Sequence, residues 1–387
     1  MSTGAATWHG KAVSIGQLES ELQRLWRAAD SDWDGQGRRP DIRTSVLNLI
    51  VYARDSSCAD RATSAIEHLS GTHPSRSIII SAGDLHGEAS IDARLSIKSH
   101  GAYAEFRQVC SEELALTVNG PASRHLHSVI IPLLAPDLPV FIWWPGEAPF
   151  QHHVFQQLRE LADHFIVDSS DFANPEQDLV TLAHAARSGT SIFADFNWGR
   201  TAPWRDAVAA FFDAAEFRPL LKCLRSVQIN GLARNDQNAL DLPQALLVAG
   251  WLCSSLDLRA GAAERAETGL TLHASSEESA VDLKLGLAPR AGADVTLRLF
   301  AEPPGQAAVE FHVSMDRHNG QLTSEILGAG DRPAHHSSAP DRDEASLLFQ
   351  ELETFERDAL YDRSLQMASS LIDSRYQTSQ IRGSLLA

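Results

Sequence analysis

Sixteen histidines are the residues of this 387-residue chain best suited to chemistry, and three sets of them are closely spaced, one of which, His335 and His336, falls in a linker where solvation is the stronger reading. His125 and His127 stand two apart, and His152 and His153 are adjacent, shortly after Trp143 and Trp144. A metal site needs three or four ligands converging at about 2 Å, with outer-shell support. On a helix, residues two apart point about 200° from one another and cannot share an ion. A structural or surface role therefore outweighs metal binding here. The stretch Gly83 to Glu88 (GDLHGE) offers Asp84, His86 and Glu88, types from which a general acid/base pair can be built. The same types cap backbone groups in turns between strands, and the turn is the stronger reading. Together His86, Glu88, His152 and His153 define one alternative, a metal-dependent enzyme.

Familiar catalytic words are missing. The phosphate loop G-x-x-x-x-G-K-[ST], the dinucleotide fingerprint G-x-G-x-x-G, the G-x-S-x-G elbow, H-E-x-x-H and the Asp-rich calcium loop are all absent. No cofactor and no resident metal are expected. Cys58, Cys110, Cys223 and Cys253 are widely spaced without a C-x-x-C, so neither a disulfide framework nor a zinc knuckle is indicated.

Two passages combine aromatic and basic side chains with turn chemistry. One is Pro136-Asp137-Leu138-Pro139-Val140-Phe141-Ile142-Trp143-Trp144-Pro145-Gly146. The other is Asp195-Phe196-Asn197-Trp198-Gly199-Arg200-Thr201-Ala202-Pro203-Trp204-Arg205. Trp, Asn and Arg near the ends of elements are the composition of interface hot spots, but large aromatics also fill core between layers. Trp143 reads as core. For Asn197, Trp198 and Arg200, core packing and a contact surface stay equally open. With Trp144, Trp204 and Arg205 they form the candidate partner-binding set.

The chain carries a formal charge of −17 and no basic run of five residues. Such a surface repels phosphate backbones and anionic lipid, which excludes nucleic acid and membrane as favoured partners. The most apolar passage, Val129 to Trp144, holds three prolines and an aspartate and falls short of a membrane helix. The N-terminus has no basic region followed by an apolar stretch, so a cytoplasmic protein is expected.

The expected fold class is mixed α/β in two domains. Residues 1–42 read as an amphipathic helix, with Ser14 and Gln17 arranged as a capping box, and a polar linker over Asp30 to Pro40. Residues 43–170 read as a three-layer α/β domain with a mixed sheet. In it Val46–Tyr52 and Ser77–Ser81 are strands buried on both faces, joined by a helix ending at Leu69. Alternation at Ile91–Ile97 and Leu114–Val118 predicts half-exposed antiparallel strands. A helix around 122–134, a strand at 140–144, a helix at 154–162 and a strand at 165–167 complete it. Residues 171–330 read as an α+β domain with helices at 177–187 and 203–212, the second capped by Thr201. A strand at 224–229, an apolar helix at 243–256 and an antiparallel meander of four alternating segments between 270 and 315 follow. Residues 331–344 read as a linker, and 345–387 as a long C-terminal helix and tail.

The two aromatic passages, with Arg43-Thr44-Ser45-Val46-Leu47-Asn48-Leu49-Ile50-Val51-Tyr52, His73-Pro74-Ser75-Arg76 and Cys110-Ser111-Glu112-Glu113, resemble the glucose-6-phosphate dehydrogenase assembly protein family, known as OpcA. In that family a basic residue precedes a Leu-Asn-Leu strand, and a His-Pro-x-Arg turn leads into the next. A Pro-Asp-Leu-Pro segment runs into Trp-Trp, and Asp-Leu-Asn-Trp-x-Arg-x-x-Pro-Trp-Arg opens the C-terminal part, with Phe196 here in place of Leu. The resemblance covers roughly residues 43 to 215. It implies a non-catalytic subunit that binds the NADP-dependent glucose-6-phosphate dehydrogenase and promotes its active oligomer in the oxidative pentose phosphate pathway. It assigns no active-site residue. The redox control that some members tie to cysteines does not carry over, because none of the four cysteines has resolving-pair spacing. A further alternative is a sugar-phosphate sensor in which Arg76, Arg200 and Arg205 grip the anion.

Overall fold

The computed structural model describes residues 5–31, 42–43, 45–69, 72–84, 86–103, 107–148, 150, 153–231, 241–266, 269–287, 294–316, 318–330, 332–339 and 342–384. Most of the expected 30–40 linker, together with Thr44, His152, 331 and 340–341, lies outside them. The chain begins β1 (Ala5–Gly10), α1 (Ile15–Ser31), β2 (Ile42–Arg43), β3 (Leu47–Ala53), α2 (Ser56–Leu69), β4 (Ser75–Ala82), β5 (Ser90–Tyr103) and β6 (Arg107–Asn119). Next come α3 (Leu126–Ile130), β7 (Val140–Trp143), α4 (His153–Leu161), β8 (His164–Val167), α5 (Pro175–Ser188), β9 (Ile192–Asp195), α6 (Phe196–Arg200) and α7 (Ala202–Phe211). It continues through β10 (Leu224–Asn230), α8 (Leu242–Ser255), β11 (Arg259–Ala266), β12 (Gly269–Ser275), β13 (Ala280–Gly286), β14 (Val295–Ala301) and β15 (Val309–Asp316). It ends with β16 (Gln321–Leu327), β17 (His335–Ser338), α9 (Glu344–Glu353) and α10 (Ala359–Ser384). No described helix is long and apolar enough to cross a membrane.

The residues fall into two compact units. Unit 1 holds 1–171, 189–196 and 343–357, and unit 2 holds 172–188, 197–342 and 358–387, so the chain passes between them five times.

Unit 1 is built on the strand order β1-β5-β6-β4-β3-β7-β8-β9, with β2 beside β6. From β6 to β9 neighbouring strands are parallel, while β5 and β1 add antiparallel edges. The Leu-Asn-Leu-Ile-Val-Tyr-Ala run of β3 is almost wholly buried, as a strand covered on both faces must be. Leu47, Leu49 and Val51 pack with Ala62, Ala65 and Ile66 of α2 and Leu347, Leu348 and Leu352 of α9. Alternation turns Asn48 and Ile50 to the opposite face. The three layers expected from the sequence are present. The alternation expected at Leu114–Val118 is present in β6, where Leu114, Leu116 and Val118 are buried, Ala115 and Thr117 are half-buried, and the partner β5 is antiparallel. One local expectation differs. The helix expected around 122–134 is a 3₁₀ turn (Gly120–His125), the short α3 and a second 3₁₀ turn (Ile131–Leu133). Pro121 and Pro132 stand at the starts of the two turns, where a missing N–H is harmless, and neither can sit inside a helix. Gly120, at φ +59°, makes the entry possible, since a Cβ there would meet the Gly87 carbonyl at 2.4 Å.

Unit 2 is built on the order β11-β12-β13-β10-β14-β15-β16-β17. The expected meander is divided by β10, which runs parallel to β13 and antiparallel to β14. A central place satisfies both edges of β10, which no position at the end of the sheet would do. The exposed segment His335–Ser338, expected as linker, is an edge strand on β16. α8 is buried all round, which explains its unbroken apolar sequence. Gly250 lets α10 approach: a Cβ there would lie 2.2 Å from the Ser364 carbonyl oxygen.

The long helix expected from 345 is two helices, α9 in unit 1 and α10 in unit 2, divided at Thr354–Asp358. Asp358 makes the break, since its Oδ1 accepts the N–H groups of Leu360 (2.8 Å) and Tyr361 (2.9 Å) and starts a new helix. Thr201, expected as the cap of α7, has helical φ/ψ and no capping bond. Its hydroxyl donates instead to the Trp198 carbonyl at 2.7 Å.

Candidate functional site

In unit 1 the passages that resemble the assembly-protein family meet in one buried polar seam. Asn48 of β3 is in register with Arg76 of β4, and Arg76 with Glu112 of β6. All three are buried. The Arg76 guanidinium donates from Nε to Glu112 Oε2 and from Nη1 to the Leu133 carbonyl at 2.9 Å. The indole Nε1 of Trp26, on α1, donates to Glu112 Oε1. Asn48 holds the Pro136-Asp137-Leu138-Pro139 turn from beneath. Its Nδ2 donates to the Ala135 (3.0 Å) and Leu138 (3.3 Å) carbonyls, and its Oδ1 accepts Ala135 N–H at 2.8 Å. Buried charges survive only when paired and hydrogen-bonded, and this seam meets both conditions.

Glu113 points to the other face of β6 and is equally buried. It accepts from Arg94 Nη2 at 3.1 Å and Lys98 Nζ at 2.8 Å, and Lys98 also reaches Glu67 at 2.7 Å. Burial works against the Lys98 charge, but the two carboxylates outweigh it and raise its pKa above the usual lysine value.

In unit 2 the passage from Asn197 to Arg205 ties two helix starts together. Trp198 Nε1 donates to Asp358 Oδ2 at 2.8 Å, at the start of α10. The Arg205 guanidinium lies over the Trp198 ring, its carbon 3.5 Å from the centroid, and Arg205 Nε donates to Thr201 Oγ1 at 3.0 Å. Tyr361 also packs against Trp198, ring centroids 5.7 Å apart. Asn197 Nδ2 donates at 3.0 Å to Asp241 Oδ1, which also accepts Gln244 N–H and so caps α8. Arg342 Nη1 donates to the Gly199 carbonyl at 3.3 Å. Burial lowers the pKa of Arg205 from the usual arginine value, while Asp358 and Asp206 pull it back.

Of the six candidate residues, Asn197, Trp198, Trp204 and Trp144 are buried, while Arg200 and Arg205 are half-buried. Trp144 belongs to unit 1, is 1% exposed, stacks on Tyr52 at 4.4 Å and donates from Nε1 to the Glu147 carbonyl at 2.9 Å. Trp143 is core, against Phe196 at 5.6 Å. In GDLHGE, Asp84 Oδ1 accepts His86 N–H at 2.9 Å and Asp84 N–H donates to Asn119 Oδ1, the turn arrangement. His86 and Glu88 are exposed, His153 opens α4, and His152 lies outside the described residues. Among the described residues no three His, Cys, Asp or Glu side chains could hold a metal ion together. Arg76, assigned to an anion in the sensor alternative, is taken up by Glu112 and Leu133. A groove lined by Lys222, Arg259, Ser276 and Ser279 has its lysine paired to Glu278 at 3.0 Å.

Sequence reasoning passed over Trp26, Asp241 and Asp358. The two aspartates carried a readable signal, Asp ahead of a helix start, strengthened at Asp241 by Pro243 in the first turn. Nothing local marks Trp26 as a partner of Glu112.

Residues 66–184 match the family described as the glucose-6-phosphate dehydrogenase subunit N-terminal domain, and 191–365 match its C-terminal domain. The OxPP cycle protein OpcA of Synechocystis sp. is 36% identical over 148 residues, 38% of this chain and 30% of that protein. OpcA of Synechococcus elongatus is 26% identical over 285 residues, 69% of this chain and 61% of that protein. The chain thus spans less than two thirds of the length of these relatives. Among solved structures, the 3-ketoreductase KijD10 of Actinomadura kijaniata, bound to TDP-benzene and NADP, superposes with a TM-score of 0.47. It is 12% identical, over 85% of this chain and 96% of that one, a likeness too distant to bear on function.

Proposed function

This chain belongs to the glucose-6-phosphate dehydrogenase assembly (OpcA) family, and on that premise we propose that it is a non-catalytic cytoplasmic subunit of that dehydrogenase. It binds the NADP-dependent enzyme and promotes its active oligomer in the oxidative pentose phosphate pathway. The observation that carries this reading is the pair of family matches, 66–184 and 191–365, both described by the same partner enzyme. The geometry supports it. The polar residues of the family words are engaged in internal bonds, Asn48, Arg76 and Glu112 in unit 1 and Asn197, Trp198 and Arg205 in unit 2.

An activator needs no chemistry of its own. It has only to bind the active state of its partner more tightly than the inactive one. About 1.4 kcal/mol of differential affinity shifts that equilibrium tenfold.

The proposed contact is the half-buried pair Arg200 and Arg205. Trp198 lies under the Arg205 guanidinium, Asn197 and Trp204 are buried in the same passage, and Trp144 acts only through the loop it anchors. The test mixes the full chain with the dehydrogenase of the same cell and follows NADPH formation at limiting glucose 6-phosphate. A saturable rate increase with co-elution as a larger species is expected. Unchanged rate and elution, in reducing and oxidising buffer alike, would end the subunit reading. A folded Arg200→Ala variant that activates like the parent would remove the contact assignment and leave the function standing.

A further inference from the structure

The sheet of unit 2 has one face that is apolar and one that is not. Val227, Leu272, Leu283, Leu299 and Phe311 are buried on the first, where Phe211, Phe212 and Phe217 close over Phe311. The second face carries two rows that run across the strands in register. The first row is Glu325, His312, Arg298, Gln228, Lys284 and Thr271. The second, two residues further along each strand, is Leu327, Glu310, Phe300, Ser226, Asp282 and His273. Asp282, Glu325 and Arg298 have 50%, 41% and 40% of their side chains exposed, and Lys284 is exposed with no ion pair among the described residues.

We infer that this face is where a second copy of the chain docks. Complementary groups stand two residues apart on the same strand, Lys284 with Asp282 on β13 and His312 with Glu310 on β15. A two-fold axis lying between two copies, across the strands and midway between the rows, lays each row over the other row of the second copy. Lys284 then faces Asp282 of the second copy, His312 faces Glu310 of the second copy, and symmetry makes each contact twice. The fixed charges of the two rows nearly cancel, two basic against three acidic, on a chain of net charge −17. Two such chains can meet there with little repulsion.

The size fits as well. Strands of seven residues at about 3.3 Å each, across the seven strands that run from β11 to β16 in sheet order with β10 among them, at about 4.8 Å spacing, give roughly 650 Å² per copy. A pair would bury about 1,300 Å², within the range of specific stable interfaces.

Sedimentation velocity on the full chain over a dilution series tests this. A concentration-dependent dimer that weakens with salt is expected. Lys284→Glu and Asp282→Lys, each checked for folding by circular dichroism, each set like charges face to face. Each should raise the dissociation constant at least about tenfold. Mixing the two variants in equal amounts should restore a dimer. The glutamate introduced in one then meets the lysine introduced in the other, and the second contact keeps its native pair. A monomer at every concentration, or a mixture no tighter than its components, overturns the inference. So does a monomeric chain in which Lys284→Glu abolishes dehydrogenase binding, which would give the face to the enzyme instead.

Discussion

The two sheets bury themselves in different ways. In unit 1 the strands β4, β3, β7 and β8 are covered on both faces, and β3, β7 and β8 are near-continuous apolar runs. In unit 2 the strands β12 to β15 alternate buried residues with more exposed ones, up to the last residues of β15. The polar residues follow the same division. On the central strands of unit 1 the charged pair Arg76 and Glu112 is interior, whereas on the strands of unit 2 Arg298 and Glu310 line an open face. The lesson is energetic. A carboxylate in the first sheet depends wholly on its protein partners, while one in the second keeps water as an alternative.

The sharpest way to break this contrast is to remove one charge from the unit 1 seam. Glu112→Ala leaves the Arg76 guanidinium buried without its carboxylate and should cost about 3–5 kcal/mol in urea denaturation. Replacing both partners by apolar residues, Arg76→Met with Glu112→Leu, should cost far less, since paired buried ions and well-packed hydrophobes are close in stability. A loss below about 1 kcal/mol for Glu112→Ala would mean that water reaches the seam.

A smaller effect is expected at the start of α10. Asp358→Ala removes both the helix cap and the acceptor of the Trp198 indole, worth about 1–3 kcal/mol together. Near-ultraviolet circular dichroism should change with it, because Trp198 loses its anchor.

Acid should separate the interior from the surface more gently. His164 is buried against Phe141, ring centroids 4.3 Å apart, and burial lowers its pKa despite the nearby Asp163. Above about pH 6.5 the imidazole is neutral in both states and stability is unaffected. As pH falls below that value the unfolded chain takes up the proton first, so stability drops. Thermal melts of His164→Phe between neutral pH and about 5 should lose part of this acid dependence. The smallest change belongs to the open face. Thr271→Ala should stay within about 0.5 kcal/mol of the parent.

What could be read beforehand followed the same contrast. Arg43–Tyr52 announced a doubly covered strand because, from Val46 on, no polar residue but Asn48 interrupts it, and the alternation from 270 to 315 announced the second sheet. β9 escaped because its four residues run straight into α6 with no turn residue between them. The division between α9 and α10 escaped because Thr354–Asp358 contains neither Gly nor Pro, and the break is made by an aspartate bonded 160 positions away to Trp198. For the seam, the words around Asn48, Arg76 and Glu112 were visible. Their meeting was not, since Trp26 reaches Glu112 across 86 positions and only the paired strands bring Arg76 there. The buried state of Trp198 and Trp204 was equally hidden, because an aromatic ahead of a helix start reads alike on a surface and in a core.

The five passages of the chain between the two units constrain how such a protein can change over generations. A single recombination event exchanges everything on one side of a point in the gene. Wherever that point falls between residues 171 and 358, it divides at least one unit between two parents. A hybrid would then join strand β9 or helix α9 from one ancestor to a sheet from another, with foreign neighbours in the core. The units are therefore inherited as a pair, and substitutions in one are selected in the constant company of the other.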